Sequence, residues 1–203
     1  MTREWQAYVL EDDSFFDFAH GMVVLDVGCG DGEELLHLQR SGCIGAGIDT
    51  SPYCVARCRD LGLRIVQARA EDMPVRTGSL DAVVCKVVVP YTDEARVLAE
   101  IGRVLRHGGK GFLCYHGIGY YLRYLLIGHF KHRLYALRAL VNTWLYATTR
   151  KRLPGFVGDT LYQSRRRLAR YYRDSGLVPV QECPARRFLG LPVFIYDALE
   201  KTS

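Results

Sequence analysis

Leu25-Asp26-Val27-Gly28-Cys29-Gly30-Asp31-Gly32 carries the strongest structural signal in the chain. The apolar run Val23–Val27 before it reads as a short buried strand. Asp31 to Arg40 after it, with Leu35, Leu36 and Leu38, reads as a helix stopped at Gly42. A glycine loop between strand and helix brings backbone N–H groups and a helix N-terminus against a ligand, where a Cβ would block close approach. The spacing narrows the ligand. A dinucleotide loop needs G-x-G-x-x-G, but Glu33 stands where its third glycine belongs, and no G-x-x-x-x-G-K-[ST] occurs anywhere. An acid beside the glycines suits an ammonium-bearing ligand better than a pyrophosphate.

On either side of this loop the chain alternates regularly. Ile44–Ile48, Arg64–Ala68, Leu80–Val88 and Gly111–Tyr115 read as further strands. Pro52 opens a helix that runs to Leu61, with Gly62 just past its end, and Thr92–Arg106 carries Ala95, Leu98, Ile101 and Leu105 at helical spacing. The fold class expected is α/β: a doubly wound, mostly parallel seven-stranded sheet. Residues 2–20 read as an N-terminal helical segment. After residue 116 the alternation breaks, and 117–160 reads as a helical insertion in which Leu134, Leu137, Val141, Trp144 and Leu145 form an apolar stripe. A helix capped by Asp159-Thr160 and ending near Asp174, then strands Val178–Glu182 and Val193–Leu199, complete a single domain over 1–203.

Composition is that of a globular chain: 203 residues, 49% hydrophobic and 24% charged, with a formal charge of +5. The charge is segregated. His116 to Arg173 holds twelve basic residues against the single acid Asp159, so this segment is +11 and the remainder −6. The same segment holds eleven of the 23 aromatic residues. Seven cysteines are scattered without a framework spacing, which points to reduced thiols and a cytoplasmic setting, with no metal site. The charged N-terminus does not read as a signal peptide, and no apolar run reaches membrane-spanning length.

The segment LDVGCGDG resembles the first motif of class I S-adenosylmethionine-dependent methyltransferases. Later landmarks agree in order and spacing: Gly47-Ile48-Asp49-Thr50-Ser51, Ala70-Glu71-Asp72-Met73-Pro74, Leu80-Asp81-Ala82-Val83-Val84 and Arg103-Val104-Leu105-Arg106-His107-Gly108-Gly109. The pattern is similar to the small-molecule branch of the ubiquinone/menaquinone-biosynthesis type (type 11), and it covers residues 20–116. The resemblance implies S-adenosylmethionine as cofactor. It implies that Asp49 accepts both ribose hydroxyls, and that Asp26 orients the loop or the methionyl ammonium. Gly28, Cys29, Gly30 and Gly32 would pack on the methionine part, bordered by Cys85 and Lys86. Arg69 stands where the family often has an acid, so Glu71 or the Ala70 N–H would read the adenine edge, with Met73 and Thr50 flanking the ring.

Methyl transfer from a sulfonium is an in-line displacement in which alignment supplies much of the rate, and a base is needed only for a protic nucleophile. The candidates at strand ends are Tyr91, Tyr115 and His116, the last with an intrinsic pKa closest to neutrality. The insertion stands where this fold carries its substrate lid, so Tyr120, Arg123, Tyr124 and Arg133 are candidate substrate contacts. Its partner is expected to be a small molecule, anionic or lipid-linked, with peripheral membrane contact through the basic aromatic insertion as one version. The plainer reading makes Arg150–Arg152 and Arg165–Arg167 solvated helix ends. RNA ranks behind a small molecule, because only Val89-Pro90-Tyr91 follows strand four where base methyltransferases resemble one another in an Asn/Asp-Pro-Pro-aromatic motif. A cofactor-binding protein without turnover, acting as a regulator, is the remaining alternative.

Overall fold

The computed structural model describes residues 18–149, 151, 153, 160–183 and 187–202. The helical segment expected at 2–20 therefore lies outside the described residues except at its last three positions. In chain order the elements are β1 (Val23–Val27), α1 (Glu33–Arg40), β2 (Ile44–Asp49), α2 (Pro52–Asp60), β3 (Ile65–Gln67), β4 (Leu80–Lys86), α3 (Glu94–Val104), β5 (Leu105–His116), α4 (Ile118–Ile127), α5 (Phe130–Thr149), α6 (Arg165–Asp174), β6 (Leu177–Cys183), β7 (Arg187–Phe188), β8 (Leu191–Pro192) and β9 (Phe194–Lys201).

Seven strands form one sheet in the order β3-β2-β1-β4-β5-β9-β6. The first five are parallel, and β9 runs antiparallel between β5 and β6. The chain leaves β1 toward β2 and β3, then returns to the other side of β1 at β4. That reversal opens a crevice above the carboxyl ends of β1 and β4, where α/β sheets bind ligands.

Each face of the sheet has its own core. Val24, Leu35, Leu38, Val84, Phe112 and Tyr121 pack on one side, and Leu25, Val27, Val83, Leu98, Ile101 and Leu113 on the other. The helix α3 shows how sequence sets this packing. Asp93 caps it by accepting from the Arg96 N–H at 3.2 Å, and Val97, Leu98, Ile101 and Val104 are buried along one stripe. Each such side chain contributes about 1.5–3 kcal/mol. Gly102 on the same helix lets it meet the end of α6, since a Cβ there would lie 2.4 Å from the Ser175 carbonyl oxygen.

Two starting points differ most from the sequence reading. The strand β5 begins at Leu105, six residues earlier than expected, through an irregular register with β4 between Leu80 and Ala82. The last helix begins at Arg165, not at Thr160, because Ser164 accepts from the Arg167 N–H and supplies the cap. Asp159, expected to cap it, lies outside the described residues. Among its described residues the insertion is two helices, α4 and α5, packed on one another over the carboxyl end of β5, with the small β7–β8 hairpin beside α4.

Candidate functional site

The glycine loop leaves β1 with three positive φ angles, at Gly28 (71°), Gly30 (52°) and Gly32 (82°). Two of these glycines are held by packing. A Cβ on Gly28 would lie 2.3 Å from Val88 Cγ2, and one on Gly32 would strike Leu63 and Cys58. Gly30 differs, because nothing lies within 4 Å of the place a Cβ would take. Its open side is the side a ligand would approach.

Asp49, at the end of β2, fastens this loop. Its Oδ2 accepts from the Gly30 N–H at 2.9 Å and its Oδ1 accepts from the Ser51 N–H at 2.8 Å. A carboxylate has about four acceptor positions. One on each oxygen is spent on the backbone, and half-exposed Asp49 retains capacity for a pair of vicinal hydroxyls.

Asp26, one strand over, is buried, and its Oδ2 has no hydrogen-bond partner among the described residues. Burial pushes its carboxyl up to about 7, with Glu34 and Asp49 adding to the rise and Lys86 opposing it. Lys86, at the end of β4, is closely ion-paired with Glu34 of α1. An unsatisfied buried carboxyl oxygen facing a carboxylate-rich neighbourhood is costly alone. It becomes favourable when a cationic ammonium arrives.

Immediately after Lys86 the chain kinks. Val87 has φ 59°, a conformation that a β-branched residue adopts only when its surroundings impose it. Its N–H donates to the Cys114 carbonyl at 2.9 Å, and the kink places Val88 against Gly28. The sequence read Val87 and Val88 as the continuation of the strand, and Val-Val-Val carries no signal of a turn.

Residues 25–113 match the family model described as a methyltransferase domain. Over these residues the chain is similar to S-adenosylmethionine-dependent methyltransferases. Among its relatives, a tRNA (carboxymethyluridine(34)-5-O)-methyltransferase from Macaca fascicularis is 38% identical over 100 residues, covering 46% of this chain and 14% of the relative. A ubiquinone biosynthesis O-methyltransferase from Xanthomonas oryzae pv. oryzae is 35% identical over 101 residues, covering 46% of this chain and 42% of the relative. These alignments span less than half the length of either relative. The fold is that of an S-adenosylmethionine-dependent methyltransferase from Mesorhizobium loti, with a TM-score of 0.69 at 16% identity over 98% of both chains.

Within residues 25–113 the structure brings Asp26, Gly28, Gly30, Gly32, Asp49 and Lys86 to one crevice, with Glu34 as a member the sequence did not single out. The half-open Asp49 carboxylate, the bare approach to Gly30 and the unpartnered Asp26 oxygen fit S-adenosylmethionine, with its ribose, methionyl chain and ammonium. Thr50 is exposed beside Asp49, and its carbonyl accepts from Gln67. Cys29 lies under the loop rather than over it. Its thiol packs where a Cβ on Gly47 would sit, and burial raises its pKa.

Other expected contacts are engaged elsewhere. The Cys85 side chain is wholly buried in the core on the α3 side, and burial pushes its thiol up to about 12. Alternation along β4 turns it away from the Lys86 side. Glu71, expected at the adenine edge, is buried and tied to Arg69 at 3.2 Å and to the Asp93 N–H. Burial raises its carboxyl, but the Glu71 and Asp93 N–H groups and Arg69 outweigh burial and hold it below the usual range. Ala70 and Met73 are buried, and the Met73 N–H donates to Glu100.

The three catalytic candidates separate. Tyr115 and His116 are adjacent on a strand and so face opposite sides. Tyr115 joins the α6 side, where its hydroxyl lies 2.8 Å from that of Tyr172, which donates to Asp197 Oδ2 at 2.7 Å. This buried network is closed by Arg165 on Asp197 at 3.0 Å, so Tyr115 stands apart from the crevice. His116 is wholly buried and stacked on Tyr120, with ring centroids 3.8 Å apart, and burial lowers its pKa to about 3. It is neutral at pH 7 and a poor base. Tyr91 is half-exposed on the short turn after β4, its hydroxyl 3.5 Å from that of Tyr135 on α5.

Of the expected substrate contacts, Tyr120 and Tyr124 join Tyr121 and Tyr135 in an aromatic cluster between β5 and the two insertion helices. Arg123 is half-buried on α4. Arg133 is exposed, and its guanidinium donates to the Gly128 and Leu126 carbonyls, closing the α4–α5 turn. The arginines of α6 are not all solvated. Arg165 holds Asp197, and Arg167 pairs at 2.9 Å with Glu94, which is wholly buried.

Proposed function

We propose that this protein transfers a methyl group from S-adenosylmethionine to a small-molecule acceptor that is anionic or membrane-associated. The observation that carries the reading is the Asp49 carboxylate, braced by the Gly30 and Ser51 N–H groups beside a glycine left bare on its ligand side. Bound there, the sulfonium supplies an activated methyl group. Asp49 holds the ribose, the glycine loop meets the methionine chain, and Asp26, balanced by Lys86 and Glu34, receives the ammonium.

The tyrosine cluster roofs the carboxyl end of β5 and supports an acceptor with an apolar or aromatic body. Its part is to align the acceptor in line with the methyl and exclude water. His116, neutral and stacked, positions Tyr120. Tyr91 is the protic side chain at the edge of this roof and the candidate to contact a protonated nucleophile. The α4–α5 pair serves as the lid, and its lack of acids supports an anionic acceptor.

The tRNA-modifying relatives favour one second reading, an acceptor in RNA that itself carries a carboxymethyl group. Transfer of labelled methyl to bulk tRNA, compared with transfer to lipid-soluble and anionic small-molecule extracts, separates the two. Cofactor binding is tested by calorimetry on Asp49→Ala. Two charge-assisted hydrogen bonds of about 1.5 kcal/mol each correspond to a roughly 100-fold weaker Kd. Affinity within about threefold of wild type would remove the basis of the reading.

A further inference from the structure

The helix α5 is built inside out. Its buried positions are Ala136, Ala139 and Asn142, and a row of its large apolar side chains faces solvent, while Tyr135 and Leu140 pack against the core. Phe130 is 80% exposed and Trp144 68%, with Leu134, Leu137 and Val141 exposed between them. At 100° per residue these five positions fall within an arc of about 80°, opposite the buried face. The exposed stripe continues into the turn through Leu126 and Ile127 at the end of α4. Arg133 fixes that turn by bonding the Leu126 and Gly128 carbonyls.

Charge borders the stripe on both sides. Lys131 and Arg138 lie along one margin and Arg133 along the other, and residues 117–149 contain no acid. An aliphatic stripe flanked by cations, on a helix too polar and too short of apolar length to cross a bilayer, has the composition of an interfacial helix. RNA would be met by stacking and cationic groups, and gains little from Leu134, Leu137 and Val141.

We infer that the α4–α5 hairpin is a docking element for an anionic phospholipid surface, with the Leu126–Phe130 turn and the Phe130–Trp144 stripe entering the acyl boundary and the flanking cations resting on phosphates. This deepens the proposed function and rests on it in one respect: docking would bring the tyrosine roof, on the inner face of the same helices, to an acceptor resident in the bilayer.

The test is sedimentation of the full chain with phosphatidylcholine vesicles, with and without phosphatidylglycerol, at low and high salt. The wild-type protein is expected to bind the anionic vesicles and to release in salt. Phe130→Glu with Trp144→Glu should weaken binding at least about tenfold, and Lys131→Glu should weaken it severalfold. In a Trp5→Phe background Trp144 is the sole tryptophan, and its emission should shift to the blue on anionic vesicles. The double variant changes exposed positions and is expected to bind S-adenosylmethionine as the wild type does, which verifies its fold. Absence of vesicle binding by the wild type overturns the inference, as does binding that the double variant retains. A dimer that the double variant abolishes, without vesicle binding, assigns the stripe to a second copy. Binding to tRNA that Lys131→Glu abolishes and the double variant keeps assigns the surface to RNA. Vesicle binding without cofactor binding would refute the methyl-transfer reading and leave the docking element standing. Cofactor binding without vesicle binding does the reverse.

Discussion

Asp26 offers the sharpest test of the site, because its cost is visible in the protein without any ligand. The carboxyl is buried with one oxygen unpartnered, and its pKa is raised from 3.8 to about 7. Below the unfolded value both states hold the proton and burial of the neutral acid adds no penalty. Between about pH 4 and 7 the folded protein keeps a proton that the unfolded chain has lost, so stability falls as pH rises, and above pH 7 the full cost of the buried anion is present. Three pKa units at 1.36 kcal/mol each give a total near 4 kcal/mol, of which roughly 3 kcal/mol falls between pH 5 and 8. Asp26→Asn removes the titration while keeping the shape. Thermal unfolding of both proteins at pH 5 and pH 8 should show the variant gaining roughly 3 kcal/mol on the wild type across that interval, a relative shift on the order of 5–10 °C for a chain of this length. An equal difference at the two pH values would refute the assignment of a raised carboxyl. With S-adenosylmethionine present the sign turns in favour of the anion, so wild-type cofactor affinity should rise with pH through about 7 while that of Asp26→Asn stays flat.

Other perturbations follow from the same contacts. Gly28→Ala places a Cβ 2.3 Å from Val88 Cγ2 at a φ of +71°, and should cost about 2 kcal/mol or more in denaturant unfolding, together with cofactor affinity. Arg167→Ala removes the cation beside the buried Glu94 carboxylate, leaving Gln163 as a neutral donor, and should destabilise the fold by about 3–5 kcal/mol, and the paired change Glu94→Gln with Arg167→Ala should recover part of that loss. Tyr115→Phe removes one hydroxyl from the Tyr172–Asp197 network and should cost about 1 kcal/mol of stability, with the methyl-transfer rate per folded molecule unchanged. A large loss of rate would return Tyr115 to the catalytic group.

The glycine loop and the acid after β2 were legible because their signals are local. Glycines at 28, 30 and 32 are required by backbone conformation, and Asp49 ends a strand whose length is set by its own apolar run. The strand and helix alternation survived almost unchanged, since it depends on burial periodicity alone. Errors collected where a side chain's role depends on which face of the sheet it takes. Tyr115 and His116 are neighbours in sequence but lie in different cores, and a one-residue step inverts which of them meets the crevice. Cys85 and Lys86 repeat the lesson on β4.

The sequence by itself determined the α/β class, the glycine loop, the acid at the end of β2 and the segregation of charge into the segment after β5. Those are properties of spacing and composition, which act through short-range backbone geometry and burial. Only the tertiary structure decided that Asp26 Oδ2 lacks a partner among the described residues, that Glu34 and Lys86 join it, that Glu71 is already spent on Arg69, and that α5 turns Ala136 and Ala139 inward and Phe130, Leu134, Leu137 and Trp144 outward. Periodicity marks the stripe through Leu134, Leu137, Val141 and Trp144, but it does not say whether that stripe faces the core or the surface. Packing of the helix against the tyrosines and β5 makes the choice, with Ala136 and Ala139 on the buried side.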